Sequence, residues 1–442
     1  MKNGKRGLVW GAISTASSVV LLAGSAWAQT PGAVGQPGVR EERPDPRAPV
    51  AKASENYDPI GMPVGSFRLF PVLELNEVYN DNIYAVPTAQ GKTGSFIQVI
   101  KPSLNLRSDW SQHMLNAFAT GGFGLYAVDA LNNYYDFGVG SDGRYDIARE
   151  WNVYGGASFN RRHEERGSPN TVATSTLSPN AYNQIAGNAG YFQAFNRFSV
   201  RLDGRVDNYN YLTPGLGPSS GAIFNYDRDR TEFREAARFA YEFSPGYSVW
   251  ARGGVNQRQY QYSPDTSGFY HNSSGWDAVG GVQIDFGGIT SIEAFAGYVQ
   301  QIYVDARFTP VQAPTFGLTG YWNPRRDIRI SPFVRRTVEE SSLNNTSAYL
   351  STAFGVDAHY DMFPNVLVDG HVDYAIADYN SISGSAAGNR YDQYVTFRAG
   401  FKYLPTRNFW VGPTYQYINR NSNQPNSSYD QNVIMLRLGA QL

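Results

Sequence analysis

Arg201, Asp203, Arg205 and Asp207 occupy every second position of the stretch FSVRLDGRVDNY (198–209) and alternate in sign. Side chains of an extended strand point to opposite faces in turn. This spacing therefore builds a charged ladder on one face and sets Phe198, Val200, Leu202, Gly204 and Val206 on the other. A row of fixed charges sorts ions and polar solutes that move past it but breaks no bond by itself. Bond-breaking chemistry would need a base beside a nucleophile, and the five histidines are the candidates: His113, His163, His271, His359 and His371. His359 and His371 flank one predicted short turn with Asp357, Asp369 and Asp373 nearby, the residue types of a Ser-His-Asp or metal arrangement. Polar side chains wetted along a channel wall give the same pattern, and that reading is adopted. The oxygen-rich segments Glu164-Glu165-Arg166-Gly167-Ser168 and Asn80-Asp81-Asn82 lack the ligand spacing of a calcium loop and are read as solvated turns. No glycine-rich phosphate loop stands between a strand and a helix. No catalytic, cofactor-binding or metal-binding residue is assigned.

The elements that position these charges are strands joined by connections that alternate between long and short. Tyr182–Ala194 partners Phe198–Tyr209 across the turn Phe195-Asn196-Arg197, and similar pairs recur from Phe67 to the end of the chain. The tally is about 18 strands of roughly 9–14 residues, the length that crosses a bilayer when tilted. An even number brings both chain ends to one side. The short turns then lie in the periplasm with the termini, and the long loops lie outside. The predicted outward faces Trp276, Ala278, Gly280, Val282, Ile284, Phe286 and Leu350, Thr352, Phe354, Val356, Ala358, Tyr360 carry no charge, as lipid contact requires. Lys101 and Pro102 break the pattern of the second strand, where a proline fits near an edge or a bulge.

The composition agrees. Hydrophobic residues make up 42% of the 442-residue chain. Beyond the N-terminus no apolar run approaches the roughly 20 residues of a spanning helix. Aromatic residues, at 14%, suit strands and interfacial belts. The absence of cysteine excludes disulfides, thiolate metal sites and cysteine nucleophiles. Lys2, Lys5 and Arg6, an apolar stretch and then Ala26-Trp27-Ala28 make residues 1–28 a secretory signal peptide cut near Ala28. Its removal takes the formal charge from −1 to −4, which gives no reason to expect nucleic acid as a partner. Residues 29–65, rich in Pro, Gly and charge, read as a flexible periplasmic tail, and residues 66–442 as the barrel. The last strand, Val433 to Leu442, is amphipathic and is expected to be read by the barrel-assembly machinery.

Several segments resemble the putative β-barrel porin 2 family of the outer membrane. They are Tyr79-Asn80-Asp81-Asn82-Ile83, Lys101-Pro102-Ser103-Leu104, SDWSQHMLNAF (108–118), FNRRHEERGSPN (159–170) and FNRFSVRLDG (195–204), in that order. The resemblance runs from about residue 57 to the end. It implies a porin-like channel in the outer membrane of a Gram-negative bacterium and does not specify the cargo.

The expected fold is thus an all-β, antiparallel up-and-down transmembrane barrel of about 18 strands. A barrel of that size leaves an aqueous channel, so its inward faces are the functional surface. They are predicted to carry Asp142, Arg144, Asp146, Arg201, Asp203, Arg205, Asp207, Arg234, Arg238, Arg252, Arg258, Arg329, Arg335, Asp369, His371, Asp373, Arg398, Lys402 and Arg437. Arginines outnumber acids in this set, which suggests a lumen for anions or acidic sugars; the alternative is a wall whose charges neutralise one another. Tyr154, Trp250, Tyr349, Tyr394 and Trp410 would either stack sugar rings or pack against loops folded inward. The function expected is passage of small hydrophilic solutes or polysaccharide. The alternatives are a dedicated exopolysaccharide exit working with periplasmic export proteins, a lipid-modifying enzyme and an adhesion barrel.

Overall fold

The computed structural model describes residues 57–169, 178–212, 225–341, 346–381 and 390–442. The predicted signal peptide and residues 29–56 of the predicted tail lie outside these. The first strands are β1 (Met62–Val64), β2 (Phe67–Asn80), β3 (Ser95–Ser108), β4 (Met114–Tyr126), β5 (Tyr134–Ala148), β6 (Trp151–His163) and β7 (Ala181–Phe195). There follow β8 (Phe198–Leu212), β9 (Arg230–Ser244), β10 (Tyr247–Tyr260), β11 (Ser273–Phe286), β12 (Thr290–Tyr303) and β13 (Val311–Arg325). The chain ends with β14 (Ile328–Glu340), β15 (Thr346–Phe363), β16 (Val366–Ser381), β17 (Tyr391–Thr406), β18 (Phe409–Ser422) and β19 (Tyr429–Gln441). Every strand from β2 to β19 pairs antiparallel with its neighbours in sequence. β19 returns to β2 over Val433↔Asn80 to Gln441↔Val72, which closes a barrel of 18 strands.

Closure follows from the solvent. Hydrocarbon offers no partner to a free N–H or C=O, so a spanning sheet must pair both edges. The seam is reinforced on the inside, where Arg437 Nε and Nη2 donate to the two Glu74 carboxylate oxygens at 3.0 and 3.2 Å. β1 lies within the segment read as tail. Its three residues pair with the start of β2, because Gly65, in the left-handed region at φ 60°, turns the chain back on itself.

Short turns follow local chemistry. Gly287 and Gly288, at φ 64° and 77°, reverse the chain between β11 and β12, and Asp285 Oδ1 accepts from the Gly288 N–H at 2.9 Å. Pro102 sits in a paired strand rather than at an edge. The β3–β4 ladder passes from Ile100↔Phe123 to Ser103↔Thr120, and the pyrrolidine ring lies over Gly121, where a Cβ would come within 3.0 Å. Lys101 takes the inward side, opposite Glu74. β13 begins four residues before Thr315, where the alternation leads us to expect it; β15 extends beyond the expected 349–360 at both ends, and β16 beyond the expected 365–375 only at its C-terminal end. The outward face is mostly apolar, with Leu73, Leu75, Phe239, Val255, Phe354 and Leu438 exposed. Glu77 and Glu235 are exceptions. They alternate with exposed hydrophobics nearer the long-loop end, and Gln98 Nε2 donates to Glu77 at 3.1 Å.

Val206 lies near the middle of β8 on the outward face. Val206→Lys is expected to destabilise the barrel by about 2–4 kcal/mol in urea titrations of the lipid-embedded protein. Val206→Leu should stay within about 0.5 kcal/mol.

Candidate functional site: the barrel lumen

Cross-strand registers bring the inward charges together in rows. Arg201, Arg238 and Arg252 are directly opposed on β8, β9 and β10, and Arg205 faces Arg234 two levels nearer the long-loop end. Each of the five has a carboxylate partner. Arg201 bonds Asp203 at 3.0 Å, Arg205 bonds Asp207 at 2.7 Å, and Arg252 bonds Asp277 at 2.6 Å. Arg238 reaches Glu293 on β12 at 3.0 Å and lies over the Trp250 ring at 4.1 Å. Arg234 bonds Glu232 and stands 3.5 Å from Asp207. Asp142 accepts from Asn116 at 2.9 Å, and Arg144 bonds Asp146 at the same distance.

A second group spans β14 to β17. Arg329, His359 and Asp369 form one row, and Asp357, His371 and Arg398 the next. His359 bridges Asp369 and Asp361 at 2.6 and 2.8 Å, and His371 bridges Asp357 and Asp373 at 2.7 Å each. Both ring nitrogens of each histidine are thus held by carboxylates, and neither has a hydroxyl among these partners. This is a wall of ion pairs, unlike a nucleophile–base dyad. Among the described residues no cluster of His, Asp and Glu has the geometry to hold a metal ion. Arg335 lies 5.7 Å from the Phe333 ring centre, and Lys402 and Arg437 lie over Trp410. Trp410 lies flat against Gly439, where a Cβ would stand 2.0 Å from its ring.

Asp146, Asp203 and Asp207 were singled out from the sequence, but other acids that balance the arginines were not. Glu74, Glu232, Asp277 and Glu293 share the inward parity of the predicted set and so were findable by the same alternation. Many pairs join residues i and i+2 of one strand, as in Arg201–Asp203, Arg205–Asp207 and Arg144–Asp146, rather than cross-strand neighbours.

The half of the lumen nearest the long loops is filled. Residues 164–169, leaving β6, reach across the ring: Tyr379 Oη on β16, nearly opposite, donates to the Pro169 carbonyl at 3.0 Å, and Tyr429 Oη on β19, about a quarter turn away, to that of Gly167 at 3.3 Å. Gly167 is at φ 81°, and a Cβ there would come within 2.4 Å of the Tyr429 hydroxyl, so only glycine lets the loop lie this close. Tyr349 stacks on Tyr379 at 4.9 Å. Both pack with Tyr394 over the small inward residues Ala353, Ala375 and Ala377. These aromatics face the chain itself. Glu164 is buried against Arg228, whose Nη1 and Nη2 reach its carboxylate at 3.0 and 2.6 Å. Burial disfavours the Arg228 charge, but the adjacent Glu164 outweighs it and holds the guanidinium protonated, above its usual range. Asn82 is fully buried and bonds Val86 and Asp430, so neither oxygen-rich segment is a solvated turn. Away from this plug the lumen is open: the side chains of Arg205, Asp357 and Asp369 are 45–47% exposed on the inward face.

An 18-strand barrel with a charged interior invites comparison with channels of the outer membrane. One family model, described as putative beta-barrel porin 2, matches residues 55–442. The chain belongs to that family. As a member of this porin family it is an outer-membrane barrel. No curated protein matches the chain. Among solved structures, Pseudomonas aeruginosa OpdO is 14% identical, with 86% of this chain and 98% of that chain covered at a TM-score of 0.45. P. aeruginosa OpdK with vanillate is 12% identical, with 85% and 99% covered at 0.45. The siderophore receptor PirA from Acinetobacter baumannii is 7% identical, with 85% and 80% covered at 0.44. These likenesses are of general outline.

Two hydrogen bonds tether the crossing loop, each with a net value of about 1 kcal/mol. Tyr379→Phe combined with Tyr429→Phe is expected to speed trypsin cleavage after Arg166 on the order of tenfold. An unchanged rate would show that the tyrosines do not hold the loop.

Proposed function

We propose that this porin-family barrel is a diffusion channel for small hydrophilic solutes, with a preference for anions. The observation that carries the preference is the row Arg201–Arg238–Arg252. Like charges directly opposed in a sheet destabilise it, so three arginines in register are a cost that the fold alone does not require. Their acids lie to the side of the row, on other levels of the same face. The guanidinium group of Arg205, 45% exposed, is turned to the wet lumen, and the row keeps 14–22% of its side chains exposed there; together they attract negative solutes and lower the barrier to their passage.

The crossing segment 164–169 favours small solutes over polymer, since it lies across the path that a polysaccharide strand would take. A dedicated exopolysaccharide exit, with periplasmic export proteins as partners, therefore has less support. We place the short turns and both termini in the periplasm. We assign recognition by the assembly machinery to β19, whose outward Ile434, Leu436 and Leu438 end the chain beside the closing seam.

The reversal potential of the refolded protein in a planar bilayer under a potassium chloride gradient tests the reading. Chloride preference is expected, and cation preference would overturn it. Replacing Arg201, Arg238 and Arg252 by serine leaves Asp203, Asp277 and Glu293 in place and should reverse the sign.

A further inference from the structure

Among the described residues, the longest parting of the barrel wall lies between β13 and β14. β12 pairs with β13 up to Gln301↔Val311, and β14 pairs with β15 up to Glu340↔Ala348. Between β13 and β14, however, the last pair toward the long-loop end is Gly317↔Arg335. Beyond it residues 311–316 of β13 and 336–340 of β14 form no ladder, although all of them are described. One side-chain bond remains there, from Thr315 Oγ1 to the Arg336 carbonyl at 2.7 Å.

The end of β14 has left the wall for the lumen. Val338, 1% exposed, packs with Ala348 into a cluster with Val299, Tyr303, Phe308, Val311 and Ala313, which belong to the inner surface of β12 and β13 and to the loop between them. Glu340 travels further and meets Arg258 of β10, with β11, β12 and β13 between them, while Tyr260 Oη donates to it at 2.6 Å. Tyr303 Oη donates to the Ser347 carbonyl at 3.3 Å. Val338 and Glu340 alternate with Thr337 and Glu339, so they occupy the parity that would face outward in a completed wall. Here that face lies on the inside of the neighbouring strands, so that β14 overlaps β13 like one slat behind another.

We propose that the paired arms 336–341 and 346–350 are a gate with two seats. One seat is the inward one, fastened by Arg258–Glu340 and the apolar cluster. In the other the arms return to the wall and continue the existing register, with Thr315 opposite Thr337, Pro314 opposite Val338 and Gln312 opposite Glu340. The outward seat completes the barrel and widens the lumen. The inward seat narrows the lumen and covers the unpaired edge of β13.

The chain has no cysteine, so paired thiols report the two seats directly. Pro314 is exposed on the outer face and Val338 is buried inside, on opposite sides of β13. Pro314→Cys with Val338→Cys can therefore form a disulfide only in the outward seat, where the two positions are cross-strand neighbours. With copper phenanthroline as oxidant, the folded barrel is expected to cross-link, and Arg258→Ala should increase the yield several-fold. Thr319→Cys with Phe333→Cys, a pair present in this structure, is the positive control. Thiols that stay unlinked while the control links would overturn the gate, as would a yield indifferent to Arg258. The linked barrel should also conduct more than the reduced one, and equal conductance would overturn the gate. Only this last arm rests on the channel reading: a wild-type protein that does not conduct removes that reading, and the cross-link alone then decides the gate.

Discussion

Everything in this molecule depends on the pairing of β19 with β2. In a bilayer an open sheet edge exposes backbone groups that nothing else can satisfy, so the first and last strands must meet. Once they do, every strand has one face toward lipid and one toward a common interior. The period of two then dictates the rest. Apolar side chains take the outside, and the charges, which cost several kcal/mol facing hydrocarbon, are gathered into one lumen. Arg437 and Glu74 show both consequences at once: they come from opposite ends of the chain, meet on the inside and tie the closing strands together.

A ring of 18 strands is too wide for its side chains to fill. The protein answers differently at its two ends. Toward the long loops, the chain itself is turned inward, with segment 164–169 from one side and the ends of β14 and β15 from the other, and tyrosines act as the packing surface. Ala353, Ala375 and Ala377 make room for those rings, and Gly167 lets the loop approach Tyr429. Elsewhere the interior stays wet and the charged rows are left partly exposed. The charged rows and the constriction therefore occupy different tiers of one lumen.

Much of this was legible in the sequence because a strand writes its two faces into alternate positions. The number of strands, the long and short alternation of their connections and the placement of residues such as Arg201, Arg335 and Arg437 on one face follow from that period alone. Partnerships do not. Arg201–Asp203 is local, but Arg238–Glu293 depends on barrel curvature, and Tyr379–Pro169 on a loop crossing between distant strands; neither separation has a periodic signal. Residues 311–314 fall within the stretch 300–314 that the sequence leads us to expect as a loop. In the structure they extend β13, since an antiparallel residue turns its N–H toward only one neighbour and that neighbour can be missing.

That missing neighbour connects the two themes. Pro314 lies on the longest stretch of wall where the ladder has parted, and Pro332 lies next to the gap before it, over Gly320, where a Cβ would stand 3.0 Å from its ring. Proline removes a donor from a strand and so lowers the cost of leaving it unpaired. Two prolines on adjacent strands, flanking the point where β14 turns inward, lower the cost of opening the seam here. The seam is then covered from within, because Val338 and Glu340 carry the outward face of β14 onto the inner surface of β10 to β13. The constraint that closes the barrel at β2 and β19 is thus relaxed at β13 and β14, where the strand displaced from the wall itself shields the edge it leaves.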